Sequence, residues 1–196
     1  MVHNVVDAKR SVFSAENAPA DADETALVRA ALERPELFGA VYQRHVDAIY
    51  RYLRLRVGLD EAADLTQQVF LKALSALPKY QPKGAPFSAW LFRIARNLAT
   101  DHHRLSHRKP DELLPDIMFS GTAGAPEEAA LQMEQQLRLR SLLRELNAEK
   151  RELLAMRFAA GLSSREIAAV IGKSEASVKK QLSRILRTLK EKYGEY

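Results

Sequence analysis

Apolar residues recur at helical spacing along most of this chain, and its first half shows no strand-like alternation. Ala26 to Arg34 reads as a short helix that Pro35 stops. From Glu36 to Val57, the residues Phe38, Val41, Tyr42, His45, Ile49, Tyr52 and Leu53 fall at i, i+3, i+4 intervals, which predicts a long helix with one buried face. Gly58 is placed to end it as a C-cap. Asp60 is placed to cap the next helix, with Glu61 and Asp64 in the first turn, where acids suit the helix dipole. That helix runs to Leu77 and stops at Pro78. Lys79 to Pro86 holds two Pro and one Gly and reads as a loop. Phe87 to His107 is helical again, with Phe87, Trp90, Leu91, Ile94, Ala95 and Leu98 as its apolar stripe.

Residues 108–126 contain Pro110, Pro115, Gly121, Gly124 and Pro126, which mark a domain boundary. Helicity resumes from Glu127 to Leu146. Asn147 is an apt N-cap for a helix to Ala160, which Gly161 ends. Ser163-Ser164-Arg165-Glu166 is a capping box that opens a short helix, Ser164 to Ile171, closed by Gly172. Ser174 then caps a final helix, Glu175 to Lys192, with Val178, Leu182, Ile185, Leu186 and Leu189 facing inward. The expected fold is all-α: two small helical domains joined by a flexible linker, the second a helix-turn-helix. The expected division is a disordered arm over 1–25, a domain over 26–109, a linker over 110–126 and a domain over 127–196.

Composition narrows the class. A hydrophobic fraction of 46% excludes a chain disordered throughout, and a charged fraction of 28% excludes a membrane bundle. No stretch approaches the ~18 uninterrupted apolar residues of a membrane span, and residues 1–10 lack the apolar core of a secretory signal. Cysteine is absent, which removes disulfides, thiol catalysis and zinc–thiolate sites and fits a cytoplasmic protein. No G-x-S-x-G, Walker loop or H-E-x-x-H is present, so no catalytic residue and no cofactor is expected. His103 and His107 stand at i, i+4 beside His102, but two imidazoles without an acid or thiol make an incomplete metal site, and none is expected.

The net charge of +5 is informative only once resolved along the chain. It runs −3 over 1–26, +3 over 27–58, −3 over 59–71, +7 over 72–109, −6 over 110–136, +3 over 137–172 and +4 over 173–196. Two basic blocks thus flank an acidic stretch, a pattern that fits either interaction surfaces for nucleic acid or two solvated helical faces. In the last helix the face opposite the apolar one carries Ser174, Ser177, Lys179, Lys180, Ser183, Arg184 and Arg187. Lys and Arg seek phosphate there, while small hydroxyls allow close approach to a DNA groove.

Two further segments are more specific. One is Asp64-Leu65-Thr66-Gln67-Gln68-Val69-Phe70-Leu71; the other is Phe87-Ser88-Ala89-Trp90-Leu91-Phe92-Arg93-Ile94-Ala95-Arg96-Asn97-Leu98-Ala99-Thr100-Asp101. The pair resembles the second conserved region of bacterial sigma factors. Gly161-Leu162-Ser163, Glu166-Ile167-Ala168, Ile171-Gly172, Ser177-Val178-Lys179 and Leu182-Ser183-Arg184 resemble the fourth. The whole resembles the extracytoplasmic-function (ECF) group, which keeps only those two regions. The resemblance spans residues 26–109 and 127–192.

The resemblance implies a promoter-specificity subunit of RNA polymerase. Its second region would grip a coiled coil of the polymerase's largest subunit and open the minus-ten element. Its fourth would read the minus-thirty-five element in the major groove. Asp64, Gln67, Gln68 and Leu71, at i, i+3, i+4 and i+7 with Asp60 one turn earlier, form a polar stripe suited to docking on a basic partner helix. Arg93, Arg96, Asn97, Thr100 and Arg104 would line a channel for unpaired DNA, Asn97 for base edges and the arginines for phosphates. Lys79, Tyr80 and Lys83 lie in the loop that in the family captures a flipped minus-ten base; Tyr80 is placed either to stack on it or to cover the core. Trp90 is expected to pack in the core. The implied partners are core RNA polymerase, promoter DNA and an anti-sigma factor, with no membrane insertion; the implied location is the cytoplasm, on the nucleoid when polymerase-bound. Two alternatives stay open: a stand-alone LuxR-type helix-turn-helix regulator, which predicts strands in the N-terminal half, and a helical adaptor that binds a partner without opening DNA.

Overall fold

The computed structural model describes residues 24–81, 84–106 and 126–194, and the described residues form helices and turns without a strand. The N-terminal group begins with α1 (Glu24–Glu33). Pro35–Leu37 form one 3₁₀ turn that leads into α2 (Phe38–Val57). Gly58, at φ 93°, joins α2 directly to α3 (Leu59–Ala76). Only glycine takes that backbone conformation without strain, and the tight joint leaves no residue free for a side-chain cap. Asp60 therefore lies inside the first turn of α3 and does not cap it, a correction to the sequence reading. A 3₁₀ turn at Leu77–Lys79 leads on towards α4 (Phe87–Ser106).

The expected apolar stripes supply the core of this group. Phe38, Ile49, Tyr52, Leu53, Leu91 and Phe92 are fully buried. Phe70 meets Phe38 and Tyr42 edge-on at 6.4 and 4.7 Å, and Tyr52 meets Phe92 at 5.6 Å. Edge-to-face pairing favours such contacts because ring edges are positive and faces negative. The Glu24 carboxylate of α1 lies 3.2 Å from His45 Nε2 of α2.

The C-terminal group holds α5 (Pro126–Arg144), α6 (Ala148–Leu154), α7 (Ser164–Ile171) and α8 (Glu175–Gly194). The Asn147 side chain accepts from Lys150 N at 3.0 Å, as a cap should. The helix does not run evenly to Ala160. Ala155–Ala159 widen into a π turn, closed by Ala160 N donating to Ala155 O at 3.0 Å. The capping box forms in both directions: Glu166 N donates to Ser163 Oγ at 3.2 Å, and Ser163 N to Glu166 Oε2 at 2.7 Å. Gly172 closes α7 in the left-handed region at φ 72°, and Ser174 accepts from Ser177 N at 3.2 Å. Val178, Leu182 and Ile185 are buried as expected. Leu186 is 44% exposed, against the inward placement expected, because it lies ~100° round the helix from Ile185.

The two groups do not stand apart. One continuous apolar cluster includes Tyr52, Phe92 and Ala95 from the first and Leu153, Met156, Ile167 and Val178 from the second. Helix α4 packs on α7, and α2 packs on the π turn.

Candidate nucleic-acid interface

The C-terminal surface follows from the turn between α7 and α8. The left-handed Gly172 turns the chain so that α8 leaves with its apolar side on α7 and its basic side outward. Ser174, Lys179, Lys180, Ser183, Arg184 and Arg187 are exposed, and Ser177 is half-buried. Two of the bases are held by neighbours on the same helix: Lys179 pairs with Glu175 at 2.6 Å and Arg187 with Glu191 at 3.8 Å. Such exposed i, i+4 pairs contribute only ~0.3–0.5 kcal/mol, so a phosphate can displace them. A cleft of about 440 Å³ beside the helix is lined by Lys150, Lys173, Gln181 and Arg184, with Glu149 bonded to Lys173. That bond holds the Glu149 carboxyl below its ordinary value.

On α3, the residues Asp60, Asp64, Gln68 and Leu71 are exposed and Gln67 is half-buried. Leu71 is 60% exposed, so the stripe ends in an uncovered apolar side chain. The buried face of the same helix is Leu65, Val69, Phe70 and Ala73. The stripe thus stands together on one side of the helix, as its spacing predicts.

The α4 surface is partly covered. Arg93, Asn97, Thr100 and Arg104 share one exposed row at i, i+4, i+7 and i+11. The Thr100 hydroxyl turns back to donate to Arg96 O at 2.8 Å, and Arg104 lies 3.8 Å from Asp101. Arg93 Nη2 donates to Ala169 O of α7 at 2.7 Å. Arg96 is half-buried: its Nε donates to Glu152 Oε1 of α6 at 3.1 Å, and its Nη2 to Glu152 Oε2 at 3.5 Å. The two arginines therefore face the C-terminal group. Tyr80 is half-buried with its ring 5.2 Å from Phe87 and 5.0 Å from Trp90, and burial followed by the charge of Glu24 raises its hydroxyl pKa. Trp90 is half-buried and packs in this cluster. Lys79 is exposed beside it. Lys83 lies outside the described residues, as do His107, the linker over 110–125 and the arm over 1–23. His102 and His103 lie ring to ring at 6.0 Å. Among the described residues no group of three or more metal-ligating side chains assembles, and no helix is long and apolar enough to cross a membrane.

The contacts between the groups have no counterpart in the sequence reading. Glu152 is 8% exposed and accepts from Tyr52 OH at 3.1 Å, with Arg56 Nη2 3.7 Å away. Burial first, then the Glu152 charge, raises the pKa of the Tyr52 hydroxyl. Ser88 Oγ donates to Glu166 Oε1 at 2.5 Å, Arg51 Nε to Ala159 O at 2.8 Å, and Arg165 Nη2 to Gly84 O at 3.5 Å. Burial pushes the Glu166 carboxyl up, but the hydrogen bonds from Ser88 and Ser163 outweigh it and hold the carboxyl below its ordinary value. These partners are 56 to 108 residues apart, so no local pattern announces them.

A helix-turn-helix with a basic outer face, packed on a second helical group with its own basic helix, is the arrangement of a DNA-binding protein. Residues 41–109 match the family description Sigma-70 region 2, and residues 136–189 match Sigma-70, region 4. The chain is 34% identical over 176 residues to the ECF RNA polymerase sigma factor BldN of Streptomyces coelicolor, covering 87% of this chain and 67% of that protein. It is 38% identical over 151 residues to the ECF RNA polymerase sigma factor SigD of Mycobacterium tuberculosis, covering 73% and 70%. A solved structure of CnrH in complex with the cytosolic domain of CnrY is similar at TM-score 0.62 and 27% identity, over 86% of this chain and 95% of that one. The chain belongs to the ECF sigma factors of RNA polymerase. It is a transcription-initiation factor that directs core polymerase to specific promoters. The stand-alone LuxR-type alternative is not supported: the strands it predicts for the N-terminal half are absent from the described residues, and that half matches sigma region 2.

Proposed function

We propose that three surfaces divide the work of this sigma factor. Asp60, Asp64, Gln67, Gln68 and Leu71 on α3 dock the polymerase. Lys79, Tyr80, Lys83, Arg93, Arg96, Asn97, Thr100 and Arg104 hold the opened minus-ten strand. Ser174, Ser177, Lys179, Lys180, Ser183, Arg184 and Arg187 on α8 read the minus-thirty-five element. The observation that carries this reading is the exposed row Arg93, Asn97, Thr100 and Arg104, which stands on the segment matched by region 2. Its spacing suits a strand whose phosphates meet arginine and whose base edges meet the Asn97 amide.

The division at 26–109, 110–126 and 127–196 serves this reading, with the acidic segment as the tether between two DNA-binding halves. The chain works without catalytic residues of its own, the chemistry being that of the polymerase. It acts in the cytoplasm, on the nucleoid when bound to polymerase. An anti-sigma factor is the further partner, a proposal supported by the solved complex of the related CnrH with CnrY.

Run-off transcription with purified core polymerase on a cognate promoter tests the reading. Core plus this chain produces transcript. Asn97→Ala lowers open-complex formation while leaving the affinity for core unchanged. Asp64→Arg does the reverse, weakening binding to core. An adaptor without promoter opening would bind core and yield no transcript.

A further inference from the structure

We propose that Glu152 is an intramolecular latch. It holds the two helical groups closed by occupying Arg96, in place of the DNA phosphate that this arginine would bind. The inference rests on the reading of α4 as the minus-ten surface.

The Glu152 side chain is 10% exposed, and three donors converge on it from the other group: Tyr52 and Arg56 on α2, and Arg96 on α4. Arg96 presents two nitrogens to the two carboxylate oxygens, at 3.1 and 3.5 Å. A guanidinium fork offers phosphate the same geometry, so carboxylate and phosphate compete for one set of donors. The neighbouring bonds reinforce the closure. Arg93 is held by Ala169 O, Arg51 by Ala159 O, and Ser88 by the Glu166 carboxylate. Arg93 and Arg96 are two of the three arginines assigned to the minus-ten surface, and both are held by the C-terminal group. In the closed form Glu152 takes the Nε/Nη2 edge of Arg96, so a phosphate can pair with that edge only when the groups part. Glu152 is buried among its partners, and a buried carboxylate deprived of them must regain water. Opening is therefore a discrete step, after which the strand and the polymerase hold the groups apart.

The test uses the whole chain, which has no cysteine of its own. The exposed residues Ser75 and Thr188 are each changed to Cys and labelled with a donor and acceptor dye pair. Energy transfer reports closure, and anisotropy with a labelled single-stranded oligonucleotide reports access to α4, both without polymerase. Glu152→Gln is expected to lower the transfer and to tighten strand binding about fivefold or more. Tyr52→Phe keeps the ring in the core and removes one donor; it is expected to act in the same direction with smaller size. It carries the test should circular dichroism show Glu152→Gln unfolded. Unchanged transfer and unchanged affinity in the folded variants overturn the latch. Lowered transfer without tighter binding overturns the competition for Arg96. Whether α4 binds DNA at all is decided separately by Asn97→Ala in the run-off assay.

Discussion

Single side chains carry two opposite duties here. Arg184 and Arg187 are exposed on α8, so reversing both to Glu should weaken duplex binding at the minus-thirty-five element. The slope of log K against log salt should become shallower by ~0.9 for each phosphate no longer neutralised; titrating labelled duplex at three salt concentrations measures it. Glu166 instead faces inward, to Ser88 and to its own cap. Its pKa lies below the ordinary 4.5, so the stability it contributes is fully present above that value and fades as pH falls through the lowered one. Urea midpoints between pH 6 and 3 should fall less steeply in Glu166→Gln than in the native chain. The outward set is legible in the sequence because a helix of known register sorts charges from apolar residues. The inward set is not. Arg96 and Glu152 look like surface charges in any local window, and only the meeting of helices 56 residues apart makes them partners.

At the scale of elements the sequence reading stands wherever a local device enforces it. The capping box at Ser163 and Glu166, the Asn147 cap and the left-handed Gly172 each carry a local signature, and each bounds a helix where expected. Ser163→Ala should cost about 1 kcal/mol of stability, read as a lowered urea midpoint with an unchanged slope. Departures come where neighbouring packing decides the outcome. Gly58 leaves no room for Asp60 to cap α3. Leu186 reads as core because it is apolar, yet the register of α8 turns it outward. The π turn at Ala155–Ala159 reads as plain helix, since periodicity does not resolve one added residue. Its position is intelligible from the fold, because it holds the Ala159 carbonyl towards Arg51.

In the molecule as a whole, the summed charge conceals a division into opposed surfaces. The all-α class, the two-group order and the helix-turn-helix are legible, since each rests on periodicity within one segment. How the groups meet is not, because their shared surface is built from residues 56 to 108 positions apart. A single apolar cluster spans both, so the free chain should unfold in one calorimetric transition whose van't Hoff and calorimetric enthalpies agree. Glu152→Gln should separate it into two.

A core held in common also bears on how the free protein meets proteases. Parting the groups uncovers apolar side chains, and proteases act on chains that have opened. A sigma factor that opens on polymerase would exchange one cover for another. One that opens alone has no substitute cover, so Glu152→Gln without polymerase should be cut faster by a dilute protease than the native chain.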